Sequence, residues 1–173
     1  MELINNYKKD GFIFLENMYS DDEIENIKSI INNYKMNDYN NTLDENNKSL
    51  RIESIVYQNK DLKKIIEKDN IIKILNKCID SEVVLFKDKV IYKNPGSENS
   101  LVPHIDGLFE SFNYRLNKKT FGWYTYSSKF INLSIMLSDN TIENGCLFIN
   151  KLKSNDNLSK NIIRYLKVKY NIL

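Results

Sequence analysis

His104 and Asp106 stand two residues apart in the segment Leu101-Val-Pro-His-Ile-Asp-Gly-Leu-Phe109, and His104 is the only histidine of the chain. In an extended strand that spacing sends both side chains from one face, so an imidazole nitrogen and a carboxylate oxygen can converge on one point. Such a pair supplies two of the three donors of a non-haem Fe(II) facial triad, which takes two histidines and one carboxylate and leaves positions open for substrates. The sequence holds no second imidazole, so metal chemistry here starts one ligand short. The alternative reading of the pair is a surface or hydrogen-bonded histidine at a strand end.

The elements that must position this pair are read from periodicity and turn chemistry. Tyr7-Lys-Lys-Asp-Gly-Phe-Ile-Phe-Leu15 ends in a short apolar run after a glycine and reads as a strand. Ser20-Asp-Asp-Glu23 is a capping box, in which the serine oxygen accepts from a backbone N–H and Glu23 reaches back. A helix follows it, with Ile24, Ile27, Ile30, Ile31 and Tyr34 as one apolar stripe, fading near Asn37. Residues 38–48 are Asn-rich and read as a loop. Leu62, Ile65 and Ile66, then Ile72, Leu75 and Ile79, mark two helical pieces with a joint at Asp69-Asn70. From Val83 to Lys93 the pattern turns to alternation and β-branched residues, which reads as strand. Asn94 to Ser100 is a loop by its turn residues and delivers the chain to His104.

Residues 107–120 read as irregular. Beyond them Ile131, Leu133, Ile135 and Leu137 alternate with Asn132, Ser134 and Ser138, the pattern of a strand, and Cys146-Leu-Phe-Ile149 reads as the next one. Helices first and strands afterwards give an α+β domain built on an antiparallel sheet.

Bulk properties narrow the function classes. At 173 residues, 42% hydrophobic and 28% charged, the chain suits one globular domain. A balance of 25 basic and 23 acidic residues argues against nucleic acid or another polyanion as partner. No apolar run is long enough to span a bilayer and the N-terminus lacks a signal-peptide pattern, so a cytoplasmic protein with no membrane partner is expected. Cys78 and Cys146 lack metal-ligand spacing and read as buried free thiols. Composition shifts at the end: residues 151–173 carry six basic residues and one acidic, a net of +5, and Ile162, Ile163, Leu166 and Tyr170 would line one face of a basic helix, either a solvated terminal one or one that meets a membrane surface or a partner.

Taken in order, Tyr7 to Leu15, the capped helix, Leu85-Phe-Lys-Asp-Lys-Val-Ile-Tyr-Lys-Asn-Pro-Gly96, His104-Ile-Asp106, Gly122-Trp-Tyr-Thr-Tyr126 and Glu143-Asn-Gly-Cys-Leu147 resemble the phytanoyl-CoA dioxygenase family of Fe(II)- and 2-oxoglutarate-dependent oxygenases. Within that family the chain looks most similar to the branch acting on small polar metabolites, aminoethylphosphonate hydroxylases among them. The resemblance implies a double-stranded β-helix, or jelly roll, with the N-terminal helices packed outside. It matches His104 and Asp106 to the family's first two iron ligands, with Fe(II) and 2-oxoglutarate as cofactors and a small molecule as substrate. The far carboxylate of 2-oxoglutarate needs a cation, and Lys89 and Lys93 fall on one face by their even spacing, so one of them could supply it. Solvent-facing lysines protecting an edge strand explain the same pair. Asn132, on the polar face of its strand, is a candidate hydrogen-bond donor to the cofactor inside the barrel. Trp123, Tyr124 and Tyr126 would wall the substrate pocket, or else pack a core.

The resemblance stops after Gly145-Cys-Leu-Phe-Ile149. There the family continues through a Pro-Gly-Ser-His-like segment to strands bearing the distal histidine and an arginine, whereas this sequence continues as the basic tail with Arg164. The expectation is an incomplete, C-terminally truncated jelly roll over residues 1–150 with a basic tail over 151–173. Its open edge would call for a second chain or a homodimer to cover it. Such a chain is expected to be catalytically incomplete; the alternative is a non-catalytic α+β binding or interaction module.

Overall fold

The computed structural model describes residues 2–34, 41–43, 46, 48–95, 104, 106, 110–115, 117–127 and 129–149. The basic tail expected over 151–173 lies outside the described residues. Contacts divide the chain into two compact units, the described residues within Met1–Ile13, Leu101–Asn132 and Ile149–Leu173 forming one, and those within Phe14–Ser100 and Leu133–Phe148 the other.

The larger unit holds the helices α2 (Asp21–Asn33), α3 (Ile55–Gln58), α4 (Lys60–Ile66) and α5 (Asp69–Ile79) and the strands β1 (Asn41–Leu43), β2 (Ser49–Glu53) and β3 (Lys89–Ile91). The capping box forms as its residue types dictate: the Glu23 amide donates to Ser20 Oγ at 3.2 Å, and the Ser20 amide donates to the Glu23 carboxylate at 2.8 Å. Lys68 draws on the same carboxylate at 2.6 Å, donates to the Met18 carbonyl at 3.1 Å and lies over the Tyr19 ring. One lysine thus ties the entry of α2 to the joint between α4 and α5.

The three strands form an antiparallel sheet in the order β1-β2-β3, with Ile52 opposite Asn41 on one side and Val90 on the other. A central strand is covered on both edges, and Ile52 is fully buried there. It belongs to a core with Ile27 and Ile31 from α2, Ile55 and Val56 from α3 and Leu62 from α4. Burying side chains of this size removes them from water at about 1.5–3 kcal/mol each. Asp88 fixes how α3 meets the sheet: its carboxylate accepts from the amides of Ile55 at 2.8 Å and Val56 at 3.1 Å, and its carbonyl accepts from the Ser54 amide. Those amides open a helix and would otherwise be orphan donors.

The smaller unit contains α1 (Glu2–Asp10) and a hairpin of β4 (Glu110–Asn113) and β5 (Lys118–Phe121), which runs into a 3-10 turn at Gly122–Thr125. Asn117 takes a positive φ of 46° in the hairpin loop, a conformation that asparagine tolerates better than most residues.

Several local expectations are revised. Tyr7 to Asp10 is helix, Gly11, at φ 81°, ends α1 by donating its amide to the Tyr7 carbonyl, and the apolar run Phe12 to Leu15, read as a strand, joins no ladder among the described residues. The polar stretch at 38–48 contributes β1, and residues 107–120 contribute a hairpin. Within 83–93 only Lys89–Ile91 pairs, and residues 129–138 and 146–149 join no ladder among the described residues. Burial along 131–138 still alternates, the odd positions half-buried and the even ones exposed. Apolar alternation reports which side chains turn inward, and backbone pairing is a separate condition. The mixture of helices with small antiparallel sheets makes the chain α+β. No described helix is long and apolar enough to cross a membrane.

Candidate metal-binding site

The smaller unit brings two polar side chains, those of His104 and Asn132, onto one carboxylate, that of Asp106. His104 Nε2 lies 3.3 Å from Asp106 Oδ1, and the Asn132 carboxamide nitrogen donates to the other oxygen, Oδ2. Imidazole and carboxylate thus lie side by side, although Asp106 lies in a turn and not in the strand that the spacing argument assumed. The side chains of His104 and Asp106 are 50% and 39% exposed, so a solvated ion can reach them. At such exposure the pair by itself contributes little to stability.

The chain after the hairpin supports Asn132. Trp123, in the 3-10 turn, packs its ring at 5.8 Å from that of Phe130, and the Tyr126 amide closes the turn onto the Trp123 carbonyl at 2.8 Å. Ser127 adds a local clasp, its hydroxyl bonded to both the amide and the carbonyl of Lys129. Phe130 and Ile131 are half-buried while Asn132 is exposed. Apolar anchors thus hold the backbone on either side of the turn and leave the carboxamide free to meet Asp106.

The donor chemistry can be set against a divalent ion. Two donors at adjacent corners of an octahedron, each about 2.1–2.2 Å from the metal, stand about 3 Å apart. His104 Nε2 and Asp106 Oδ1 are 3.3 Å apart, a separation that accommodates two neighbouring ligands and equally a direct contact between imidazole and carboxylate. The pair does not complete the two-histidine triad that ferrous oxygenases use, because the chain contains a single histidine. Among the described residues no group of three or more His, Cys, Asp or Glu side chains could hold a metal ion.

The remaining candidates fall in different settings. Lys89 and Lys93 belong to the larger unit. Lys89 is exposed on β3, an edge strand of its sheet, opposite Glu53. Lys93 donates through Nζ to the Gly145 carbonyl, and a Cβ added at Gly145 would meet the lysine's Cδ at 3.2 Å. Gly145 itself takes a positive φ of 80°, which suits a glycine at the end of the turn at 142–145. Trp123 is half-buried against Phe130, and Tyr126 is 70% exposed. The Tyr124 side chain lies outside the described ones. Cys78 is buried, which pushes its thiol pKa up, and Cys146 is half-buried.

Sequence reasoning treated Asn132 as a cofactor contact and missed its partner. The available signal was that Asn132 alternates with apolar neighbours on a polar face, which marks the side chain as outward-turned without saying toward what.

The fold is α+β, and the site sets one imidazole beside one carboxylate. Comparison with known families makes the assignment specific: the family model described as Phytanoyl-CoA dioxygenase (PhyH) matches residues 7–150, and the chain belongs to that family. Its members are generally Fe(II)- and 2-oxoglutarate-dependent dioxygenases. No curated protein and no solved structure matches the chain.

Proposed function

We propose that this chain is an oxygenase-family protein that holds a divalent metal through His104 and Asp106, and that the chain taken alone does not complete 2-oxoglutarate turnover. The observation that carries the reading is the 3.3 Å approach of His104 Nε2 to Asp106 Oδ1 within a chain of this family. Bound Fe(II) would supply the oxidising chemistry of the family. The protein's own part is to present one imidazole and one carboxylate on one side of the ion and leave its other positions open. The single histidine supports the second half of the proposal, since the family's chemistry rests on two.

The finer features follow from the same resemblance. The architecture is a jelly roll with helices outside it, and the substrate class is a small polar metabolite.

Calorimetry with Mn(II), with and without 2-oxoglutarate, followed by an aerobic Fe(II) assay for succinate, tests the proposal. It expects saturable binding of one Mn(II) that is lost in His104→Ala, with succinate at background. Succinate formation dependent on His104 would make the chain a complete enzyme. Mn(II) binding indifferent to His104 would remove the metal site.

A further inference from the structure

Asp106 has two oxygens with different neighbours: Oδ1 faces His104 Nε2 and Oδ2 accepts from the Asn132 carboxamide. A half-exposed aspartate has a broad, roughly two-fold torsion about its last bond, so left alone it exchanges its oxygens and offers a metal one or both. A donor fixed on one oxygen removes that freedom, because a hydrogen bond to an ionised carboxylate is among the stronger kinds. From this geometry we infer that Asn132 is a positioning residue for Asp106, occupying Oδ2 so that Oδ1 alone is presented beside His104. The inference rests on the reading of His104 and Asp106 as metal donors, and it moves Asn132 from a cofactor contact to an orienting partner.

The carboxamide suits this task chemically. It is neutral, so it adds no repulsion to an incoming cation, and it has two N–H donors, one of which can hold the carboxylate while the other meets water. Its backbone is steadied by Phe130 packed on Trp123 and by the half-buried Ile131. Hydrogen-bond partners of ligating groups set the orientation and denticity of those groups, and losing one typically weakens metal binding by roughly 10- to 100-fold.

The test uses the full chain with Mn(II) for affinity and Co(II) for the visible spectrum, which reports coordination geometry. Asn132→Leu removes the donor, Asn132→Gln keeps a carboxamide on a longer stem, and His104→Ala removes a ligand. The expected result is a roughly 10- to 100-fold weaker Mn(II) affinity and an altered Co(II) spectrum in Asn132→Leu, with Asn132→Gln recovering most of both and all thermal melts close to wild type. Wild-type affinity and spectrum in Asn132→Leu, with binding still lost in His104→Ala, would overturn the positioning role while leaving the His104–Asp106 site intact. Equal loss in the Leu and Gln variants with lowered melts would reduce Asn132 to a structural part. Binding unaffected by His104→Ala would sink both this inference and the reading beneath it.

Discussion

The core of the larger unit and the polar cluster of the smaller one are organised by opposite means. Ile52 and Leu62 are almost wholly withdrawn from water, and their positions follow from how much apolar area each removes. His104, Asp106 and Asn132 stay largely exposed and are held by directional bonds to one another. The first arrangement stores stability. The second stores very little, and keeps an open side where an ion or a small molecule can arrive. Stability and chemistry are thus assigned to different residues, and substitutions should separate them.

The sharpest separation comes from Ile52→Ala. Truncating a side chain with no exposed surface in a central strand should cost about 2–5 kcal/mol in chemical denaturation, by lost transfer energy and a residual cavity. A cost below about 1 kcal/mol would mean that the core is not packed as described. Next is Asp88→Ala, which orphans the amides of Ile55 and Val56 and should cost about 1–3 kcal/mol by the same measurement.

A smaller effect is expected from Glu23, and it depends on pH. The hydrogen bond from Lys68 first, and that from the Ser20 amide second, hold the Glu23 carboxyl below its ordinary range. A carboxylate with a depressed folded-state pKa contributes stability above its unfolded value of about 4.3, and the contribution disappears as pH falls through the folded value. Glu23→Gln should therefore show a shallower loss of stability on acidification than wild type, and an identical acid limb would contradict the Lys68 contact. Its neighbour Tyr19 is pushed up to about 12 by burial, then by the Glu23 charge, so this phenol should ionise late in an alkaline absorbance titration.

Smallest of all should be His104→Ala, which removes a half-exposed side chain and should change stability by no more than about 0.5 kcal/mol. A large loss there would erase the contrast between the two regions.

What could be read from the sequence follows the same division. The capping box at Ser20 and Glu23 and the stripe of Ile27 and Ile31 were legible because their physics is local: a few adjacent residues settle a helix entry and its buried face. The spacing of His104 and Asp106 pointed to a meeting of the two, but by way of a strand, whereas Asp106 lies in a turn. Pairing between distant strands was not legible. Each strand of the hairpin at 110–121 holds one apolar residue, Phe112 or Phe121, too few to show alternation, although Asn117 in its loop was a usable turn signal. Helix α1 shows little in the sequence because none of its residues is buried and no apolar stripe marks it; its one signal is Gly11, just after Lys8 and Lys9, which marks a helix end. Asp88 as the cap of α3 lies more than thirty residues from the amides it satisfies, and nothing near it in sequence reveals that.

The claim on which the functional reading turns is that His104 and Asp106 bind one ion together. Crystals grown without oxygen in Mn(II) would show it directly in an anomalous difference map. The account predicts one peak within bonding distance of both His104 Nε2 and Asp106 Oδ1, absent in His104→Ala crystals. A map with no peak there, or with a peak that persists without the imidazole, would contradict it.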